Sequence, residues 1–179
     1  MSTLKPTPQQ VNWHEDIFQA LKAANVKQIV YVPDAGHAHV IRRAHEDGSI
    51  KTYPLTTEEE GIAAVAGAWL GGERAVLLMQ SSGVGNCINM LSLIDNGRFP
   101  FVTLVTMRGE WAEFNPWQVP MGRATETVLG AMGVDCRRVT DPSKAGSEVA
   151  AALDDAFLAE RSVAVLLSQS LLGRKAWVK

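Results

Sequence analysis

Four short runs of nearly unbroken apolar character, Gln28-Ile-Val-Tyr-Val-Pro33, Ala75-Val-Leu-Leu-Met-Gln80, Phe101-Val-Thr-Leu-Val-Thr106 and Val163-Ala-Val-Leu-Leu-Ser168, are separated by segments of helical period. A strand with one wet face alternates apolar and polar residues. Runs without that alternation predict strands covered on both sides, the condition of a parallel sheet between two helical layers. The intervening segments fit that layer. Thr7-Pro8-Gln9-Gln10 predicts a helix start, with Thr7 as N-cap, Pro at the first helical position and Gln at the third. Ile17, Phe18, Leu21 and Ala24 follow on one face. Further helices are expected at about 36–46, 58–70, 88–94, 123–132 and 144–159, and weaker strands at 52–55 and near Val139. Residues 58–70 put Ile62, Val65, Ala66 and Trp69 on one face. With no repeat and no linker, the 179 residues predict one doubly wound α/β domain with a mostly parallel sheet and helices on both faces, preceded by a loose tail at 1–6.

Charge and cysteine content remove several function classes. Lys plus Arg total 17 against 19 Asp plus Glu, with no basic block, so a polyanionic nucleic acid meets no electrostatic footprint. Cys87 and Cys136 each lie in an apolar stretch without a Cys or His at ligand spacing, which argues against a disulfide framework and a zinc site. No apolar run reaches bilayer length, and the N-terminus, with Pro6 and Pro8, lacks the apolar core of a signal peptide. The expectation is a cytoplasmic protein that binds neither nucleic acid nor membrane.

Doubly wound sheets bind ligands beyond the carboxyl ends of their strands, which directs attention to four loops: 33–39, 56–60, 80–86 and 107–110. Gln80-Ser-Ser-Gly-Val-Gly-Asn86 leaves a strand and enters a helix, so its glycines can bring backbone N–H groups near a ligand. It lacks the Gly-Lys-Ser/Thr of a phosphate-binding P-loop, and Ile88 stands where a dinucleotide fingerprint needs its third glycine. A tight strand-to-helix turn is the plain alternative. In Thr57-Glu58-Glu59-Glu60, Thr57 and Glu60 form an expected capping box, and acidic residues complement the helix dipole. Glu58, at the mouth of the crevice, reads either as one more first-turn carboxylate or as a group able to exchange a proton near neutral pH. Asp34 ends a strand. His37 and His39 follow it as candidate substrate contacts or ordinary surface residues, and without a third ligand the pair predicts no metal.

Val32-Pro-Asp34, Thr57-Glu-Glu-Glu-Gly61 with Ala66-Gly67, Met79-Gln-Ser-Ser-Gly-Val-Gly-Asn86, Arg108-Gly-Glu110 and Gln118-Val-Pro-Met-Gly-Arg-Ala-Thr125 occur in one order along most of the chain. Together they resemble the pyrimidine-binding (Pyr) domain of the sulfopyruvate decarboxylase and phosphonopyruvate decarboxylase family, enzymes dependent on thiamine diphosphate. The alpha subunit of the former is the closer likeness. The resemblance implies a catalytic carboxylate that contacts N1′ of the cofactor's aminopyrimidine; counted back from Ala66-Gly67, that residue is Glu58. Proton sharing there favours the imino tautomer, whose nitrogen can deprotonate the thiazolium C2. By the same resemblance Asp34 is an active-site acid that handles protons, and Gln80, Ser82, Gly83, Gly85 and Asn86 line the cofactor pocket. Arg108 is the candidate contact for a substrate anion, with His37 and His39 beside it.

Enzymes of this kind also carry a pyrophosphate-binding (PP) domain marked by Gly-Asp-Gly, which this chain does not contain. The resemblance therefore implies a separate beta subunit that brings the PP domain and the ligands for Mg2+, in a heterotetramer or larger assembly, and a carboxy-lyase that turns 3-sulfopyruvate or 3-phosphonopyruvate into an aldehyde and carbon dioxide. Departures from the pattern touch the substrate. Ala35-Gly36-His37-Ala38-His39 replaces the usual Ser-Leu-Leu, Ser81 and Val84 replace Asn and Leu, and Trp111, Phe114 and Trp117 form an aromatic insertion. They leave open another 2-oxo acid, with decarboxylation or carboligation. Two rivals come from outside this chemistry: a non-catalytic Pyr-like subunit, and a simple phosphate- or nucleotide-binding domain.

Overall fold

The computed structural model describes residues 12–174. The chain runs α1 (Trp13–Ala23), β1 (Val26–Tyr31), α2 (Ala38–Asp47), β2 (Lys51–Pro54), α3 (Glu58–Leu70), β3 (Arg74–Gln80), α4 (Ser81–Cys87), α5 (Leu91–Gly97) and β4 (Phe101–Thr106). It continues through α6 (Val119–Ala131), β5 (Asp135–Val139), α7 (Ala145–Ala159), β6 (Ser162–Leu167) and α8 (Gln169–Leu172), with single 3-10 turns before α6 and α7. The six strands form one sheet in the order β2-β1-β3-β4-β6-β5, and every neighbouring pair is parallel. The doubly wound expectation holds, and the sheet is parallel throughout.

Period-2 alternation splits each central strand between two cores. Val76 and Leu78 of β3, Val102 and Leu104 of β4, and Val163, Val165 and Leu167 of β6 face α1, α2 and α7. Leu77 and Met79, Phe101 and Val105, and Ala164 and Leu166 face α3, α4, α5 and α6. With apolar side chains required on both faces, the central strands could not show the polar alternation of a half-wet sheet. On the first face Ile17, Phe18 and Leu21 of α1 are fully buried, packed chiefly against α7.

Three boundaries differ from expectation. The helix start at Thr7 lies outside the described residues; α1 begins at Trp13, where the Asn12 side chain accepts from the Glu15 N–H at 3.3 Å. The segment 80–86, expected as a glycine turn, is instead mostly helix: α4 starts directly after β3, and a separate α5 replaces the single helix expected at 88–94. Neither Gly83 nor Gly85 has a positive φ, so neither is there to make a turn. Finally, α6 opens at Val119, before the expected position 123, because Pro120 falls in its first turn, where a missing N–H costs nothing.

The strand connections diverge at the gap between β1 and β3: the chain leaves β1 outward to β2 and leaves β3 in the opposite direction to β4. A crevice is left there beyond the strand ends. Since the sheet depends on the α1 face being filled, Phe18→Ala should lower the unfolding free energy by about 3–5 kcal/mol. Leu158→Ala on exposed α7 surface should change it by less than about 0.5 kcal/mol. Urea titration of the two variants checks this.

Candidate active site

Asp34 sits at the divergence point and is tied down from three directions. Its Oδ1 accepts from Gln80 Nε2 at 2.9 Å, a bond that spans the gap between the ends of β1 and β3. Its Oδ2 accepts from the Gly36 N–H at 2.9 Å and from Thr106 Oγ1 at 2.8 Å. Gln80 in turn accepts from Ser82 Oγ at 2.9 Å. The sequence-predicted Asp34, Gln80 and Ser82 thus form one hydrogen-bonded chain. Thr106, which sequence reasoning missed, closes it from the end of β4. A hydroxyl-bearing residue ending an apolar strand was the available signal. A largely apolar groove of about 550 Å3 opens from Asp34 along Tyr31, Ala38 and Ile41.

Glu58 is the first residue of α3, and of the three consecutive glutamates it alone is buried, at 8% exposure. The bland role fell to its neighbour. Thr57 occupies the N-cap position without a side-chain cap bond, and Glu60 accepts from the Thr56 N–H at 2.9 Å, one residue further back than a capping box requires. Glu58 points instead toward α4. Asn86 Nδ2 donates to its Oε2 at 2.9 Å, while Oε1 has no hydrogen-bond partner among the described residues. A methyl group at position 83 would stand 2.3 Å from the Glu58 carboxyl carbon. Gly83 is therefore needed to let α4 pass over a carboxylate, and Gly85, against Met121, has ordinary contact distances. Below this point burial, followed by the charges of Glu58 and Glu59, pushes the Cys87 thiol up to about 12, which leaves it inert.

Arg108, expected at the mouth of the site, is 7% exposed and already paired. Its Nε and Nη2 donate to Glu113 Oε2 and Oε1 at 2.8 and 2.6 Å. Glu113 also accepts from the N–H groups of Gly109 at 3.1 Å and Asn115 at 2.9 Å, and from Gln169 Nε2 at 2.9 Å. The Arg108 hydrogen bond is the main reason that the Glu113 carboxyl is held down at about 2. Gln169 Oε1 accepts from the Glu110 and Trp111 N–H groups at 3.1 and 3.0 Å, so α8 anchors the same loop. Neither Glu113 nor Gln169 was singled out from the sequence, since nothing local marks a residue whose partners are 5 and 56 positions away.

The two histidines have different surroundings. His37 is buried at the start of α2, its Nε2 3.2 Å from the Met79 carbonyl oxygen, and burial pushes its pKa down. His39 lies on the α1 side of α2, with Nε2 3.5 Å from Glu15 Oε2 and its ring 5.4 Å from that of His14. The His37 N–H donates to the Asp34 carbonyl oxygen at 3.1 Å, which ties His37 to the Asp34 turn through the backbone. Among the described residues no cluster of three His, Cys, Asp or Glu side chains could hold a metal ion, and no helix is long and apolar enough to cross a membrane.

Residues 11–114 match the family model of the thiamine pyrophosphate enzyme N-terminal TPP-binding domain. The chain is 35% identical over 162 residues to the sulfopyruvate decarboxylase subunit alpha of Methanothermobacter thermautotrophicus, covering 90% of this chain and 98% of that one. It is 33% identical over 128 residues to the phosphonopyruvate decarboxylase of Streptomyces viridochromogenes, covering 70% of this chain but only 32% of the relative. Among solved structures, a 2-oxoglutarate:ferredoxin oxidoreductase from Magnetococcus marinus superposes with a TM-score of 0.74 at 16% identity. That match covers 96% of this chain and 33% of the other, and at that identity it speaks for the fold.

Two kinds of perturbed group act in different pH windows during acid unfolding. Burial, then the neighbouring His39 and His37, holds the His14 pKa near 4 rather than 6.5, so the unfolded chain takes up the proton first. Stability should be full above pH 6.5 and fall as pH drops toward 4, with His37 acting in the same direction; His14→Phe should reduce the slope over this stretch and leave the part due to His37. Glu113 has its folded pKa depressed from 4.5 to about 2, so its contribution is present above pH 4.5 and lost between there and pH 2. Glu113→Gln should reduce the slope in that lower window without abolishing it, because Glu15 beside Arg43 and Asp47 beside Lys22 are also held down at about 2, and should leave the upper window unchanged. Denaturant titrations at a series of pH values measure both slopes.

Proposed function

As the chain belongs to the thiamine pyrophosphate enzymes through their N-terminal TPP-binding domain, we propose that it is the pyrimidine-binding subunit of a two-subunit 2-oxo acid decarboxylase, with 3-sulfopyruvate or 3-phosphonopyruvate as substrate. The observation that carries this reading is Glu58: buried at the first position of α3, oriented by Asn86 through one oxygen and, among the described residues, without a hydrogen-bond partner at the other. That second oxygen suits the ring nitrogen of an aminopyrimidine, and the shallow wall at Gly83 leaves the carboxylate room that any side chain there would fill. When bound, thiamine diphosphate supplies the carbon nucleophile and the sink for the electron pair released with carbon dioxide.

The chain's own residues have narrower tasks. Glu58 holds or returns a proton at N1′, and Asn86 fixes the carboxylate's orientation. Asp34, pinned by Gln80, Thr106 and the Gly36 N–H, keeps a carboxylate at the crevice for proton transfer near the substrate. Mg2+ and the diphosphate fall to a beta subunit with the PP domain, in an assembly of at least two chains of each kind. The near-complete coverage of the alpha-subunit relative, against a third of the phosphonopyruvate decarboxylase, supports this division of labour. The aromatic insertion after Arg108, with Trp111 and Trp117 exposed, favours, as a second reading, a 2-oxo acid with a larger or less charged side chain.

Glu58→Gln should lower turnover by about 10²-fold or more with assembly intact, because an amide cannot exchange the proton. Glu60→Gln should remain within a few-fold of the parent, since an amide oxygen can still accept from the Thr56 N–H. Equal losses in the two would remove Glu58 from its role. Calorimetry of the chain alone with Mg2+ and thiamine diphosphate should show no micromolar binding, and carbon dioxide release from 3-sulfopyruvate, 3-phosphonopyruvate, pyruvate or phenylpyruvate should need the second subunit. Tight binding and turnover by the single chain would end the two-subunit reading.

A further inference from the structure

We propose that Arg108 is a positioning residue, joined with Glu113 and Gln169 in a buried clamp that holds the 109–118 loop and seats α4 against Glu58, and that it is not the ligand of a substrate anion. For the catalytic part this rests on the decarboxylase reading above; for the clamp itself it rests on geometry alone.

The Glu113 carboxylate receives five hydrogen bonds, two from the Arg108 fork and one each from Gly109, Asn115 and Gln169, with both side chains of the pair under a tenth exposed. A carboxylate offers about four lone-pair sites, so it is saturated. The guanidinium is covered on its face by the Phe114 ring, 5.5 Å from the ring centroid. To reach a sulfonate or phosphonate, Arg108 would have to abandon this geometry and leave a buried carboxylate without its countercharge, a costly exchange.

The backbone of Arg108 shows where the clamp acts. Its N–H donates to Ser81 Oγ at 3.1 Å, and Ser81 is the first residue of α4. Its carbonyl oxygen would lie 2.0 Å from a methyl group at position 122, so α6 packs directly on it. The Thr125 hydroxyl of α6 donates to the Met121 carbonyl of its own helix at 2.6 Å and stands 3.4 Å from the Ser81 carbonyl oxygen, so α6 also abuts the start of α4. Tension on residue 108 is thereby passed to α4, the helix whose Gly83 and Asn86 meet Glu58. Beyond residue 108 the clamp sets the course of a loop carrying Trp111, 47% exposed, and Trp117, 83% exposed. A clamp of this kind affects every 2-oxo acid alike, because it works through the cofactor side of the site.

The two roles predict opposite signs for Glu113→Gln. In the clamp, Arg108→Gln and Glu113→Gln should each lower kcat/KM at least tenfold in the two-subunit enzyme, through kcat, and equally for 3-sulfopyruvate and pyruvate. The double variant should be no worse than the poorer single one. Arg108→Lys should fail to rescue, as it keeps the charge but loses the fork. The proposal is overturned if Arg108→Gln raises KM for 3-sulfopyruvate alone, if Arg108→Lys restores it, or if freeing Arg108 by Glu113→Gln improves binding of that acid. Amide-hydrogen exchange on the full chain gives an independent reading: residues 109–118 should exchange at least tenfold faster in both single variants, and unchanged exchange would also overturn the clamp. Should the parent enzyme decarboxylate neither acid, the decarboxylase reading fails while the exchange measurement still decides the clamp.

Discussion

Helices cover both faces of an all-parallel sheet, and that constraint governs where this protein can place charge. The central strands bring only apolar groups and hydrogen-bonded threonines to either core, so carboxylates with work to do are confined to the strand ends and the first turns that follow. Asp34 after β1, Gln80 at the end of β3, Thr106 at the end of β4 and Arg108 two residues later all obey it. The network that joins the first three is a consequence of parallel strands ending together, and the Asp34–Gln80 bond crosses the one gap where the connections part company.

The packing of α4 on α3 shows how far local preference yields to this arrangement. A helix reading Ser-Ser-Gly-Val-Gly-Asn-Cys is a poor one, each glycine costing about 1 kcal/mol relative to alanine. It forms because Val84 and Cys87 are fully buried and because a side chain at position 83 would collide with Glu58. The glycine that weakens the helix is the one that permits a buried carboxylate beside it. Glu58 thereby gains one fixed oxygen and one open one, an asymmetry that a solvated first-turn glutamate would lack.

The same rim carries a second buried carboxylate with the opposite fate. Glu113 is saturated and neutralised by Arg108, and its burial stabilises a loop; Glu58 is buried with acceptor capacity to spare. Two carboxylates of one chain are thus distinguished by their hydrogen-bond partners, one saturated and one with an oxygen open. The catalytic role proposed for Glu58 rests on that difference and on the chain's membership of the thiamine pyrophosphate enzymes.

Much of the architecture was legible without coordinates because it is written in local periodicity. Unbroken apolar runs at strand length gave β3, β4 and β6 nearly to the residue, and the 58–70 helix was placed with its true ends. Glu58 could be set apart from Glu59 and Glu60 by resemblance, and the structure separates the three by burial. What escaped was which side chains meet: Thr106 with Asp34, Gln169 with the 110–113 loop and the contact of Gly83 with Glu58, all between residues distant in sequence, and also the nearby pairing of Glu113 with Arg108. His37 illustrates the limit most plainly, since a histidine in a polar loop gives no local sign that its ring will be enclosed and bonded to Met79. Hydrophobic period is a property of neighbours along the chain and so determines elements and layers by itself. Which polar groups meet, and whether an arginine faces a substrate or a glutamate, is decided only when the strand ends converge, because hydrogen bonds are made between whatever groups the packed layers bring within about 3 Å.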